Sequence, residues 1–156
     1  DFIRATYGDF YVAVNVGAVL LQAFVASRVV AFAGVRGTLM VLPIVALGTY
    51  ALAAVGVGFV ALRAIKAVEN ATDYSVQNTA KALVWLPHGR EAKYAGKQVV
   101  DGFFVRVGDV LAALAVFGAV EVCGLTGWTL AAANVVLAAV AIGLAWRAGR
   151  ARTAAG

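Results

Sequence analysis

The chain has little of what a soluble domain needs. Only 13% of its 156 residues are charged, eight acids and thirteen basic residues, against roughly 25% in an ordinary globular domain. A single cysteine, Cys123, excludes an internal disulfide. The lone His88 has no cysteine or acidic cluster at ligand spacing near it, so no metal site is indicated, and no cofactor either. The first residue is Asp1 and not Met, and no basic-then-apolar leader with a small-residue cleavage site opens the chain. An excerpt or a processed product is expected.

What is there is apolar. Hydrophobic residues make up 63% of the chain and the mean hydropathy is +0.89. Uncharged runs at Phe10–Ser27, Gly37–Leu62, Val110–Val120 and Val122–Trp146 supply several spans of the ~20 residues a bilayer requires. The composition therefore points to an all-α polytopic membrane protein and away from a soluble bundle. Five transmembrane helices in one domain are expected, over about 9–30, 38–55, 59–86, 91–122 and 128–147, followed by a basic tail over 147–156. In the first, Asn15 and Gln22 lie seven residues apart and share a face, an inward pair. Pro43 stands near the start of the second, where proline is tolerated. Gly56-Val57-Gly58 breaks the long uncharged run, Pro87-His88-Gly89 ends the third helix, and Gly124 with Gly127 forms the last turn. Trp128 and Trp146 bracket about 28 Å of helix with an aromatic at each interface.

Positive charge sets the orientation. Arg28 and Arg36 lie in the first link, Lys81, Arg90, Lys93 and Lys97 lie around the third, and Arg147, Arg150 and Arg152 lie in the tail. These are alternate connections and share a side, while Gly56–Gly58 and Glu121–Gly127 hold no Lys or Arg. The positive-inside rule puts the tail in the cytoplasm and the N-terminus, with Arg4, outside. A bacterial inner membrane is the expected location. The net charge of +5 is explained by a basic rim beside anionic lipid, with no nucleic-acid partner.

The unusual stretch is LRAIKAVENATDYSVQN, Leu62–Asn78, which holds Arg63, Lys66, Glu69 and Asp73, with Gln77 following. At about 100° per residue these fall on one wide polar face, while Ala64, Ile65, Val68, Ala71, Thr79 and Leu83 form the opposite stripe. Such charges cost at least ~2.5 kcal/mol each at the membrane centre if left facing lipid, so they are expected to face protein or water. The next helix repeats the pattern with Lys97, Gln98, Asp101, Arg106 and Asp109. Lys97 with Asp101, and Arg106 with Asp109, are spaced to pair, and two adjacent helices are expected to present mixed charge toward a common interior. The plain alternative is that paired charges lock helices together and that Arg63 and Lys66 snorkel to the interface. Asn70-Ala71-Thr72 lies within a span, where no glycan is attached. Gly56-Val57-Gly58 follows no strand and is not a nucleotide loop, and Ser27 and Tyr74-Ser75 have no base at helical spacing, so no enzyme activity is indicated.

Two strings suggest a family. ASRVVAFAGVRG, Ala26–Gly37, resembles the cytoplasmic turn of the major facilitator superfamily, in which Arg28, Gly34 and Arg36 match the glycine and basic positions. YSVQNTAKALVWLPHGREAKYAGKQVVDGFFVRVGD, Tyr74–Asp109, resembles the ATP/ADP-exchange transporter group and its bacterial relatives within that superfamily. The resemblance implies that the five helices are helices eight to twelve of a twelve-helix transporter. It also implies that Lys97 and Asp101 are the group's Lys-x-x-x-Asp pair and that Arg106 is its following basic residue, while Asp109 stands where many exchangers have a basic residue. The implied substrate is a nucleotide or organic anion. Five helices do not complete a six-helix half, and alternating access needs two halves. The partners are thus the bilayer and either the remaining transporter helices or other membrane subunits, the latter if the chain is a transporter-derived accessory piece.

Overall fold

A computed structural model describes residues 2–86 and 89–153, so Pro87 and His88, named above as a helix stop, lie outside the described residues. Among the described residues all regular structure is helical. This suits an apolar chain, because a helix satisfies its own backbone polar groups without water. Four long helices follow one another: α1 over 2–54, α2 over 59–84, α3 over 90–122 and α4 over 127–153.

α1 is not straight. Gly34 alone within it leaves helical geometry, at φ 63° and ψ −174°, a region that essentially only glycine occupies. Thr6 and Tyr50 both reach the start of α2, one through Arg63 and the other through Lys66. A straight helix would hold them about 66 Å apart at 1.5 Å per residue. The chain therefore folds back at Gly34, and α1 has two limbs, 2–33 and 35–54. The Thr38 hydroxyl donates to the Gly34 carbonyl at 2.6 Å and ties the second limb to the reversal.

The second limb ends as glycine-capped helices do. Val57 N–H reaches back to the Leu52 carbonyl and Gly56 N–H to Ala53, with Gly56 at φ 80°, the paired bonds of a Schellman cap. A positive-φ glycine, Gly124, likewise closes α3.

Among the described residues three segments are long and apolar enough to cross a membrane: Thr6–Ala54, Lys93–Val122 and Gly127–Ala148. The expectation of five spans is corrected to three such segments among the described residues: the first takes in both of the expected first helices, as the limbs on either side of Gly34, and α2 carries Arg63, Lys66, Glu69, Asp73 and Lys81, too much charge for an apolar span.

The packing order follows from residue pairs. Arg63 meets Thr6 and Thr79 meets Gln22, so α2 runs parallel to the first limb. It turns back from the second limb at Gly56 and lies between the two. α4 packs along the other side of the second limb, with Trp146 against Arg36. The first limb, α2, the second limb and α4 thus stand in a row. Close packing in the row uses small side chains: Ala26, Ala71, Thr72, Ser75, Ala80, Ala131 and Ala138 are buried, which lets backbones approach. The hydroxyls of Thr72 and Ser75 bond to carbonyls one turn back.

Trp146 lies between two cations. The Arg36 guanidinium is 4.9 Å from its ring centroid and that of Arg150 is 4.0 Å. This brings the 28–36 link and the end of α4 to one end of the row. Trp146→Ala should cost about 1 kcal/mol, the scale of a partly exposed cation–π contact. A lower melting temperature in detergent would register it, and Trp128→Ala, which removes a more exposed ring, should have less effect.

Candidate functional site

The start of α2 gathers polar groups from three helical segments. Arg63 donates to the Thr6 carbonyl on the first limb at 2.6 Å. One turn on, the Lys66 ammonium donates to Glu69 Oε1 at 2.7 Å and to the Tyr50 hydroxyl on the second limb at 3.2 Å. The same ammonium sits 4.8 Å from the Tyr50 ring centroid. α2 is pinned on both flanks by side chains one helical turn apart.

Beside them lies an open cavity of about 300 Å³, lined by Thr6, Tyr7, Phe10, Phe59, Leu62, Arg63 and Lys66. Its wall combines three aromatic rings with the side chains of Arg63 and Lys66 and is almost wholly apolar. Glu69 is buried, and its second oxygen, Oε2, has no hydrogen-bond partner among the described residues; the same holds for Gln77 Oε1 further along α2. Arg63, Lys66 and Glu69 together leave one net positive charge at the cavity. The arrangement suits a flat or apolar group against the rings, with the Arg63 and Lys66 heads held beside it by Thr6, Glu69 and Tyr50.

The remaining predicted residues fall elsewhere. Asp73 and Gln77 are half-buried within a π-turn, Asp73–Gln77, where Asn78 N–H reaches back five residues to the Asp73 carbonyl. The polar face of α2 turns inward only in part, since Glu69 is buried while Tyr74, Asn78 and Lys81 are exposed. Small residues dictate this: the helix packs through Ala71, Thr72, Ser75 and Val76. Asn15 is also exposed, because the first limb packs through Val14 and Gly17, although Gln22 does bond Thr79 at 3.2 Å. Arg28 and Gly34 are exposed at the reversal and Arg36 is half-buried against Trp146.

α3 stands apart from this cluster. Lys97, Asp101, Arg106 and Asp109 are all exposed on it, and α3 shares no extensive contact with the other helices. Near its start the Trp85 ring lies close over Gly96, where an added Cβ would come within 2.8 Å. The common interior expected between the two charged helices is therefore not formed by these residues. Arg106 and Asp109 pair at 3.8 Å. Among the described residues Lys97 and Asp101 form no ion pair, although they lie four residues apart. π-turns leave no mark in composition or spacing, and sequence reasoning missed the four among the described residues, Leu21–Ala26, Asp73–Gln77, Val99–Phe104 and Gly118–Val122. It also missed Tyr50, Thr6 and the cavity aromatics, for which only a three-dimensional contact gives a signal.

Among the described residues no group of His, Cys, Asp or Glu could hold a metal ion. No family model matches the chain, and no curated protein or solved structure matches it.

Proposed function

We propose that the chain is part of a secondary transporter of the bacterial inner membrane, exchanging nucleotides or related organic anions by alternating access, with its C-terminus cytoplasmic. The observation that supports this best is the pairing of Arg63 and Lys66 with Tyr7, Phe10 and Phe59 around one cavity. A nucleotide presents the matching features, phosphates for the cations and a base for the rings. Arg63 holds its position through Thr6, and Lys66 through Glu69 and Tyr50, so both cations are preorganised. The resemblance of Tyr74–Asp109 to nucleotide exchangers supports the same substrate class.

The test is exchange by the full-length native protein in liposomes preloaded with ADP. Uptake of labelled ATP is expected, and Arg63→Gln with Lys66→Gln should lower it at least tenfold while leaving the protein in the membrane. Unchanged uptake in the double variant would remove the site.

A second reading has its own support. A transporter-derived accessory subunit of a larger membrane complex would leave a helix free for its partners, and among the described residues α3 makes no extensive contact with the other helices. That reading expects no uptake by the purified protein in any form.

A further inference from the structure

The charges of α3 do not fall where an uninterrupted α-helix would put them. At about 100° per residue, Asp101 would lie about 40° from Lys97, Asp109 about 120° and Arg106 about 180°, half-way round the helix. The π-turn Val99–Phe104, marked by Val105 N–H bonding to the Val100 carbonyl five residues back, accommodates one residue more than an α-turn. Every later side chain is set back by about one residue's rotation, about 100°. Arg106 then falls about 80° from Lys97 and Asp109 about 20°, so the four charges share one quarter of the surface.

This stripe lies within a segment long and apolar enough to cross a membrane, Lys93–Val122, and Arg106 and Asp109 flank its midpoint. Their side chains are 81% and 65% exposed. At that depth charged side chains face protein or water and not lipid, and they are too far from either interface to snorkel. The stripe holds two cations and two acids, with Arg106 already paired to Asp109. A balanced stripe offers an incoming anion no net attraction. It does offer a facing helix both donors and acceptors.

We propose that the stripe of Lys97, Asp101, Arg106 and Asp109 is a docking surface for a transmembrane helix of different sequence, one with charged, amide or hydroxyl side chains at the depth of Arg106 and Asp109. A second copy of this chain fits poorly. Two copies inserted the same way round would pack about an axis normal to the membrane, with identical residues at identical depth, Arg106 opposite Arg106 and Lys97 opposite Lys97. This surface stands whether or not the cavity beside Arg63 takes a nucleotide.

A photo-reactive benzoylphenylalanine placed at Val105, on the stripe, or at Val107, on the opposite side, tests the surface in native membranes with the full-length protein. The Val105 variant is expected to yield an adduct with a membrane-spanning peptide absent from residues 1–156, with a polar side chain within one turn of the attachment point. Asp101→Leu with Asp109→Leu should reduce its yield at least fivefold, and Asp101→Glu with Asp109→Glu should keep it. Four results would each overturn the proposal: only lipid adducts or none at Val105, an adduct to a peptide within 1–156, equal protein adducts at Val105 and Val107, or a yield indifferent to the leucine substitutions.

Discussion

Glu69→Ala is expected to lower stability by about 3 kcal/mol, the lower end of the cost of breaking a buried ion pair by removing one partner. Glu69 is the acceptor that lets Lys66 sit between α2 and the second limb of α1, and its side chain is only 11% exposed. Without it the ammonium keeps the Tyr50 hydroxyl but loses its counter-charge in a partly desolvated position. Because Lys66 retains 38% exposure, the loss stays below that of a fully buried pair. Glu69→Gln keeps an acceptor oxygen and should cost about half as much. The informative variant is the double replacement Lys66→Met with Glu69→Leu, which removes both charges and the orphaned Oε2 and should recover most of the stability. Thermal unfolding in detergent, arranged as a double-mutant cycle, measures the coupling. Additive single effects would mean that the pair is a surface contact with no part in holding α2 between the limbs.

Such a result would also separate structure from transport. The Met and Leu double variant removes one of the two cations on the cavity wall while leaving the helices packed. If the cavity binds an anion, uptake falls even where stability has returned; if the cluster only fastens helices, uptake follows stability.

How far the sequence discloses this arrangement varies with the residue. The helical class, the break at Gly56 and the turn at Gly124 are legible, because long apolar runs and glycines act locally. The reversal at Gly34 is half legible: the string Gly34-Val35-Arg36-Gly37 reads as a link, yet hydrogen-bonded helix continues on both sides of one glycine. The inward face of α2 misleads, because hydrophobicity suggests which side meets lipid, whereas burial of Ala71, Thr72 and Ser75 follows from side-chain size. The phase of α3 is the least legible. A uniform helical wheel sends Arg106 to the far side, and only the backbone bond from Val105 to Val100 returns it to the stripe. Arg63 and Lys66 stand out by charge alone in this composition, but their partners Thr6 and Tyr50 come from elsewhere in the chain.

Gly17→Leu should be as damaging as any change in the Lys66 pair, and it tests the row itself. A Cβ built at Gly17 would lie 3.2 Å from the Ala71 Cβ, tighter than ordinary van der Waals contact, so the first limb and α2 meet there almost backbone to backbone. Alanine needs a shift of a few tenths of an ångström, and the better helix propensity of alanine offsets part of the strain. Leucine places three further carbons in space that α2 already fills, and such overpacking costs about 3 kcal/mol where the neighbouring backbone cannot move. α2 is held on that side by Arg63 on the Thr6 carbonyl and by Thr79 on Gln22, above and below Gly17, so forcing the helices apart strains both bonds. Gly48, whose Cβ would meet nothing within 4 Å, supplies the control: Gly48→Leu should leave the melting temperature nearly unchanged. Cysteines at Gly17 and Ala71 give a second readout, since these positions should cross-link with a short oxidant in an otherwise cysteine-free background. Equal melting temperatures for Gly17→Leu and Gly48→Leu, or no cross-link between 17 and 71, would show that the first limb does not lie against α2.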